Sequence, residues 1–191
     1  MVGKTHLVFG LTTLAAANAA TGLVQLHPVR DIPIGPVLCI GAAILGALAP
    51  DLDAAESQLQ SELGEAGLML SNWLQSFGVE HRGLTHYGVT TLGVMSVSGL
   101  LGWWLGYGDV GLAFGLGYLS HILADSLTIA GTPLLWPLQK EKNFHLLPRA
   151  LRIRTGGPVE PLLFIVVTIL LLFLLPSLFP ADFISTLRHW L

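Results

Sequence analysis

The longest uncharged apolar stretch runs from residue 161 to residue 179 and contains only two polar side chains, Thr168 and Ser177. At 1.5 Å per residue, a helix of this length spans about 28 Å, close to the hydrocarbon thickness of about 30 Å in a bilayer. Charged residues make up 11% of the chain and hydrophobic residues 52%, whereas soluble domains carry about 25% charged residues. The sequence therefore predicts a membrane protein.

Shorter apolar stretches precede this one, with prolines or glycines between them. We predict an all-α membrane protein with about five transmembrane helices, forming one hydrolase domain over residues 1–191. The predicted spans are residues 7–26, 34–49, 84–104, 110–128 and 161–179.

Residues 54–77 have a different pattern, since apolar and polar side chains separate onto two helix faces. This pattern predicts an amphipathic helix at the membrane interface. Because its polar face is acidic, a helix packed on the bundle in water explains the pattern equally well. The apolar set is Leu59, Leu63, Ala66, Leu70, Trp73 and Phe77.

Residues 129–160 connect the last two predicted spans, and a loop of this length is usually functional. Within it, Leu151 and Ile153 alternate with two arginines, and a Gly-Gly pair follows at 156–157. This alternation predicts a short hairpin in the loop.

Five crossings would place the two ends of the chain on opposite sides of the membrane. The positive-inside rule then predicts that the amino-terminal side is cytoplasmic, in a prokaryotic inner membrane. That side collects seven basic residues, Lys4, Arg82, Lys140, Lys142, Arg149, Arg152 and Arg154, against Arg30 and Arg188 on the other.

Histidine and aspartate residues from distant segments also gather at the amino-terminal face of this topology. Imidazole nitrogen and carboxylate oxygen suit zinc, while manganese or iron are possible alternatives. Cys39 is the only cysteine, so no thiolate site can form within the chain. The gathered residues are His6, Asp51, Asp53, His81, His86, His121 and Asp125.

His121 and Asp125 are four residues apart and therefore share one helix face. Both lie within an apolar span, where an ionisable group is costly unless it is paired or faces a polar cavity. Metal ligation explains them, and so does a His–Asp hydrogen bond that packs the bundle.

Four motifs occur in order: P-D-L-D at 50–53, H-R-G-L-T-H at 81–86, S-H-I-L-A-D at 120–125, then Gly131 with Pro133. Together they resemble the membrane-bound metal-dependent hydrolases, a family that includes LexA-regulated inner-membrane hydrolase-like proteins. The resemblance covers nearly the whole chain and implies a metal-dependent hydrolase.

The spacing of the S-H-I-L-A-D motif is also distantly similar to the zinc-dependent phospholipase C and P1 nuclease group. This similarity implies a helical bundle that uses two or more zinc ions to cleave phosphoesters. The implied metal ligands are His6, Asp51, His86, His121, Asp125 and Glu160.

The leading hypothesis is hydrolysis of a phosphoester in a membrane lipid or lipid-linked substrate by metal-activated water. Asp53 or His81 would act as general base, because both neighbour predicted ligands. The phosphate would be held by Arg82, Arg152 and Arg154. The net charge of −3 disfavours nucleic acid as a partner.

Three alternatives stay open at this stage. The same residues could form the relay of a metal-ion or proton transporter, although the apolar stretches 93–105 and 112–119 offer few polar side chains towards the far face. A metal could also clamp helices in a non-catalytic scaffold. The arginines of the loop could bind anionic lipid headgroups instead of a substrate.

Overall fold

Six α-helices form most of the regular structure in the part of the chain that the computed structural model describes, which confirms the all-helical class. The described residues are 1–25, 28–29, 32–53, 61, 64–76, 83–139 and 143–179. The helices are α1 Gly3–Thr21, α2 Gly35–Leu48, α3 Glu65–Ser76, α4 Gly88–Trp104, α5 Gly108–Ser126 and α6 Val159–Leu174.

Shorter elements extend or connect these helices. Two-residue strands β1, Pro28–Val29, and β2, Ile32–Pro33, pair antiparallel between α1 and α2. The 3-10 helices are Ala49–Asp53 after α2, Leu84–His86 before α4, Arg149–Leu151 in the long loop, and Leu175–Leu178 after α6.

Helix α5 is the centre of the bundle and contacts α1, α2 and α4. Its contact with α2 is backbone against backbone. A Cβ atom on Gly117 would collide with the carbonyl oxygen of Ala43, and one on Gly46 would collide with that of Phe114. Small residues allow this approach, as is common between membrane helices, and it brings the carboxyl ends of both helices together.

We expect Gly117→Ala to lower the free energy of unfolding in detergent by about 1–3 kcal/mol, because the added methyl group forces α2 and α5 apart. Gly93→Ala in α4 is the matched control, since nothing lies within 4 Å of a Cβ atom at that position. The control should be neutral or slightly stabilising. Thermal unfolding followed by circular dichroism measures both, and equal stability of the two variants would contradict the close contact.

The five predicted spans all correspond to helices, but their ends differ. Helix α1 ends at Thr21, earlier than predicted, because Gly22 adopts a left-handed conformation with φ of 63° and donates its N–H to Asn18. Such a glycine cap terminates a helix before any proline is reached. The third span begins with the 3-10 turn Leu84–His86 and becomes α-helical only at Gly88.

Within the described residues, two segments are long and apolar enough to cross a membrane, Gly35–Leu52 and Val159–Leu178, of 18 and 20 residues. Five transmembrane helices are therefore not confirmed. Helix α4, with 17 residues, is slightly shorter than these two segments. Its apolar side chains Leu92, Val97 and Trp103 are nevertheless exposed. Exposed apolar side chains along a helix are typical of a surface that contacts lipid or another protein.

Helix α3 is the described part of the predicted interfacial helix, while residues 54–60, 62–63 and 77 lie outside the described residues. The helix packs against the 3-10 helix Ala49–Asp53. Its small residues Gly67 and Ser71 are buried. Its larger apolar side chains, Leu68, Met69 and Trp73, are exposed. An outward apolar face agrees with an interfacial position.

The predicted hairpin in the long loop is wrong. Ile153 instead pairs in parallel with Thr128, through N–H bonds from Ile153 to Leu127 O (3.0 Å) and from Ile129 to Ile153 O (2.9 Å). Ile153 is buried against Met1 and Ala124, whereas Leu151 is exposed, so the two apolar residues do not share one buried face as the alternation predicted.

Candidate metal centre

Four separate elements bring three histidines and two aspartates to one end of the bundle. His6 lies near the start of α1, Asp51 in the 3-10 helix after α2, and His86 in the 3-10 turn before α4. His121 and Asp125 lie near the end of α5. All three imidazoles are fully buried and Asp125 is 1% exposed, whereas Asp51 is 21% exposed. Asp51 is thus the most exposed of the five side chains.

The side chains approach one another closely enough to share a cation. His6 Nε2 lies 3.3 Å from Asp125 Oδ1, and His121 Nε2 lies 3.5 Å from Asp51 Oδ1. His86 Nε2 lies 3.8 Å from Asp51 Oδ1 and 3.9 Å from Asp125 Oδ2. Among the described residues, two groups have ligand atoms within 4.8 Å of one another: His6, Asp51 and His121, and His86, His121 and Asp125.

Hydrogen bonds on the outer nitrogens fix how two of the imidazoles point. His121 Nδ1 lies 2.7 Å from Ala47 O, and a carbonyl oxygen only accepts, so Nδ1 carries the proton and Nε2 keeps its lone pair. His86 Nδ1 lies 2.9 Å from Thr85 Oγ1. When this Nδ1 donates to the hydroxyl, Nε2 of His86 also presents a lone pair to the centre. Such outer contacts set the tautomer of metal-binding histidines.

The centre contains buried imidazole nitrogens without a well-directed hydrogen bond to a described group. They are both ring nitrogens of His6 and Nε2 of His121, although each Nε2 lies within 3.5 Å of a carboxylate oxygen. The rings of these two histidines stack with centroids 3.6 Å apart. A buried polar atom without a partner costs about 1–3 kcal/mol. Imidazole nitrogens beside two carboxylates therefore fit a divalent cation.

Tyr118 connects α5 to the turn that carries His86. Its buried hydroxyl donates to the carbonyl oxygen of Thr85 at 2.5 Å, and the Thr85 hydroxyl contacts His86. Tyr118 is three residues before His121 on α5. One helix therefore supplies a ligand candidate and also positions a second one, which makes Tyr118 a positioning residue.

Tyr118→Phe is expected to weaken metal binding about tenfold, as the loss of an outer-shell hydrogen bond typically does. Titration of metal-free protein in detergent, followed by isothermal calorimetry, measures the affinity. Tyr107→Phe, in the turn between α4 and α5 at the other end of the bundle, is the matched control and should bind as the wild type does. Unchanged affinity in Tyr118→Phe would remove Tyr118 from the centre.

Glu160 was predicted as a ligand, but it belongs to neither group of candidate ligand atoms in the described chain. Its Oε1 accepts the N–H of Val2 at 2.7 Å and its Oε2 accepts the N–H of Gly156 at 2.7 Å. The structure thus gives Glu160 another task, which is to join the start of the chain to the turn before α6. Its role as a ligand stays a prediction.

The other predicted site residues are less well placed or lie outside the described part. Arg152 is half-buried and its Nε donates to Leu147 O at 3.2 Å, and Arg154 is exposed. The side chain of Asp53, and both His81 and Arg82, lie outside the described residues. The α-amino group of Met1 contacts Asp125 Oδ1, a contact that the sequence pattern did not predict.

The long loop folds over the end of α5 that carries the centre. We call its described residues, 129–139 and 143–158, the cap. Leu146 N–H donates to Ser126 O at 2.9 Å, and Gly88 N–H donates to Leu134 O at 2.9 Å. The rings of Tyr87 and Trp136 stack with centroids 4.4 Å apart. The cap is thus fixed both to α5 beside Asp125 and to the start of α4 beside His86.

A family model described as YdjM inner membrane protein matches residues 1–183. The inner membrane protein YdjM of Escherichia coli (strain K12) is 34% identical over 147 residues, 72% of this chain and 66% of that protein. The chain therefore spans slightly under two thirds of that relative's length.

The protein YvsG of Bacillus subtilis (strain 168) is 28% identical over 138 residues, 72% of this chain and 74% of that protein. No solved structure matches the chain significantly. The two apolar helical segments of membrane-spanning length agree with the description of the family. Because the family model covers nearly the entire sequence, the chain belongs to the YdjM inner membrane protein family.

Proposed function

We propose that this chain is a membrane-embedded, metal-dependent hydrolase that cleaves a phosphoester in a membrane lipid or a lipid-linked substrate. The observation that carries the proposal is the convergence of three buried imidazoles and two carboxylates at one end of the bundle. Structural packing alone gives no reason to bury imidazole nitrogens that no described group hydrogen-bonds. The motif resemblance to metal-dependent hydrolases supports the same class.

His6, Asp51, His86, His121 and Asp125 would hold the metal. Zinc suits this donor set best, with manganese or iron as alternatives. Nε2 of His121 has one lone pair and can bind only one ion. Asp125 Oδ1 lies beside His6 and Oδ2 beside His86, so this carboxylate could supply a ligand on either side.

A bound divalent ion would make water a nucleophile near neutral pH and stabilise the negative charge of the transition state. Substrate access, proton acceptance and phosphate binding would fall to residues of the chain. Asp51 is the most exposed of these residues and would border the side from which substrate reaches the centre. Asp53 or His81 would accept the proton of the attacking water. Arg82, Arg152 and Arg154 would hold the phosphate group.

The proposal includes five membrane crossings, with the centre near the cytoplasmic face. Helices α1, α2, α4, α5 and α6 would be the crossings. The residues of the centre lie alternately at the start or the end of successive helices, as an up-and-down bundle requires. The basic residues at the same end support a cytoplasmic orientation.

Metal content and turnover of the purified protein test the proposal. Metal-free protein in detergent would receive zinc, manganese or iron, and cleavage of an aryl phosphodiester and of phosphatidylglycerol vesicles would be followed. We expect bound metal in a one-to-one or two-to-one ratio, and metal-dependent turnover. Protein that binds no metal, or binds it without hydrolysing either probe, would contradict the proposal. Metal flux into liposomes without hydrolysis would identify a transporter.

A further inference from the structure

We propose that the outer surface of the cap is a docking surface for anionic phospholipids of the surrounding leaflet. The partner is the bilayer itself and not the lipid that is cleaved. This inference does not depend on the metal centre, because it rests on the exposure and the charge of cap residues that are absent from the centre.

Hydrogen bonds hold the cap in one position on the bundle, so the same side chains of the cap always face outwards. Phe144 and Thr132 exchange two backbone hydrogen bonds of 2.7 and 3.1 Å, and the Thr132 hydroxyl lies 2.9 Å from that of Ser126. Ile153, on the inner side of the cap, is buried against Met1 and Ala124. Side chains on the opposite side of the cap therefore have a fixed outward direction.

Large apolar side chains cover this outward side. Leu138 is 88% exposed and Leu151 is 63% exposed. A soluble surface rarely groups so many apolar side chains in one loop, and such patches mark sites of contact with protein or membrane. The exposed apolar residues of the cap are Ile129, Leu135, Trp136, Leu138, Leu146 and Leu151.

The charges on the same side favour anionic headgroups. Arg149, which has no role in the proposed reaction, is exposed, and the described cap residues contain no carboxylate side chain, although the whole chain has a net charge of −3. A loop that exposes a guanidinium group together with leucine and tryptophan side chains matches the interface, where phosphate groups lie just above the acyl chains. A water-soluble protein partner would not require this combination of charge and apolar area.

The cap surface is also continuous with a surface that faces lipid. Helix α6 follows the cap directly, and its first exposed apolar residues are Val159 and Leu162. This helix is one of the two segments long and apolar enough to cross a membrane. The apolar surface of the cap therefore continues into the hydrocarbon-facing surface of α6, and a bilayer that contacts α6 reaches the cap at headgroup depth.

Trp136 serves as a native reporter in nanodiscs that contain brominated phospholipids. The other four tryptophans, Trp73, Trp103, Trp104 and Trp190, would be replaced by phenylalanine. We expect bromines near the headgroup to quench Trp136 more strongly than bromines deep in the acyl chain. Brominated phosphatidylglycerol should quench it several-fold more effectively than brominated phosphatidylcholine at equal mole fraction, since each arginine near an anionic surface contributes about fivefold.

Three variants link the quenching to the surface. Leu138→Glu should reduce quenching by either lipid, whereas Leu138→Phe should preserve it. Arg149→Gln should abolish most of the preference for the anionic lipid without moving Trp136 away from the bilayer. Quenching of Trp136 by aqueous iodide instead of by bromine would overturn the proposal, and so would equal quenching by both lipids.

If the single-tryptophan variant does not fold, native mass spectrometry of the full chain provides the same answer. Wild-type protein should retain anionic lipid in preference to zwitterionic lipid, and Arg149→Gln should retain them more equally. Equal retention in the wild type would also overturn the proposal. Neither measurement involves turnover, so failure of the docking surface and failure of the hydrolase proposal are distinguishable.

Discussion

His121→Ala is expected to remove the bound metal and to lower phosphoester turnover about a thousandfold, because a catalytic ion supplies several kcal/mol of transition-state stabilisation. His121 is the residue that both groups of candidate ligands share. It is also fully buried, and its Nδ1 contact with Ala47 O fixes the lone pair of Nε2. Among the histidines of the two groups, His121 alone belongs to both, so its replacement would remove an imidazole ligand from each. Elemental analysis of the purified variant and its turnover number measure the effect.

His145→Ala is the matched control. His145 is a histidine of the cap that contacts Thr128 O and belongs to neither candidate group. The control should keep its metal and most of its activity. Loss of a buried side chain also lowers stability, so His121→Asn is compared with His121→Ala by circular dichroism. Full metal content and turnover in folded His121→Ala would refute the centre.

Asp53→Asn or His81→Gln is expected to lower turnover by about 10²–10⁴-fold while the metal stays bound, as removal of a general base does. Asp53 follows the candidate ligand Asp51 at the end of the same 3-10 helix. Whichever residue accepts the proton should show the larger loss. The measurement is the turnover number against pH, together with the metal content of each variant.

Glu65→Gln on α3 is the control for loss of a carboxylate, since Glu65 is exposed and outside the centre. If both Asp53→Asn and His81→Gln retain full turnover, neither residue is the general base. This result would contradict that assignment but not the fold or the metal centre. Retention of metal with no turnover in the wild type would instead favour the scaffold alternative, in which the ion only clamps helices.

The convergence of the centre could be predicted from the sequence because it depends on topology alone. Once the apolar spans are placed, the starts of α1 and α4 and the ends of α2 and α5 must lie at one depth. The structure brings His6, Asp51, His86, His121 and Asp125 together accordingly. Helical periodicity also predicted that His121 and Asp125 share a face.

Other features depend on contacts that no local pattern records. The contact of His121 with Ala47 O involves a backbone atom and has no signature in residue type. Tyr118 could have been suspected from its position one turn before His121. The alternation at 151–154 predicts a strand, but only Ile153 of its two apolar residues is buried, because it packs beside Met1. Glu160 sits at the expected end of the bundle, but its oxygens accept backbone N–H groups.

The close approach of α2 and α5 at Gly46 and Gly117 has a consequence for selectivity. Helix α2 leads directly into the 3-10 helix that carries Asp51, and its Ala47 carbonyl oxygen orients His121, so the spacing of α2 and α5 would help to set the distance between these two candidate ligands. In the proposed metal centre, this contact between two backbones would favour ions of one radius. Engineering a different preference would then require a change of the helix spacing at Gly46 or Gly117 as well as an exchange of ligands.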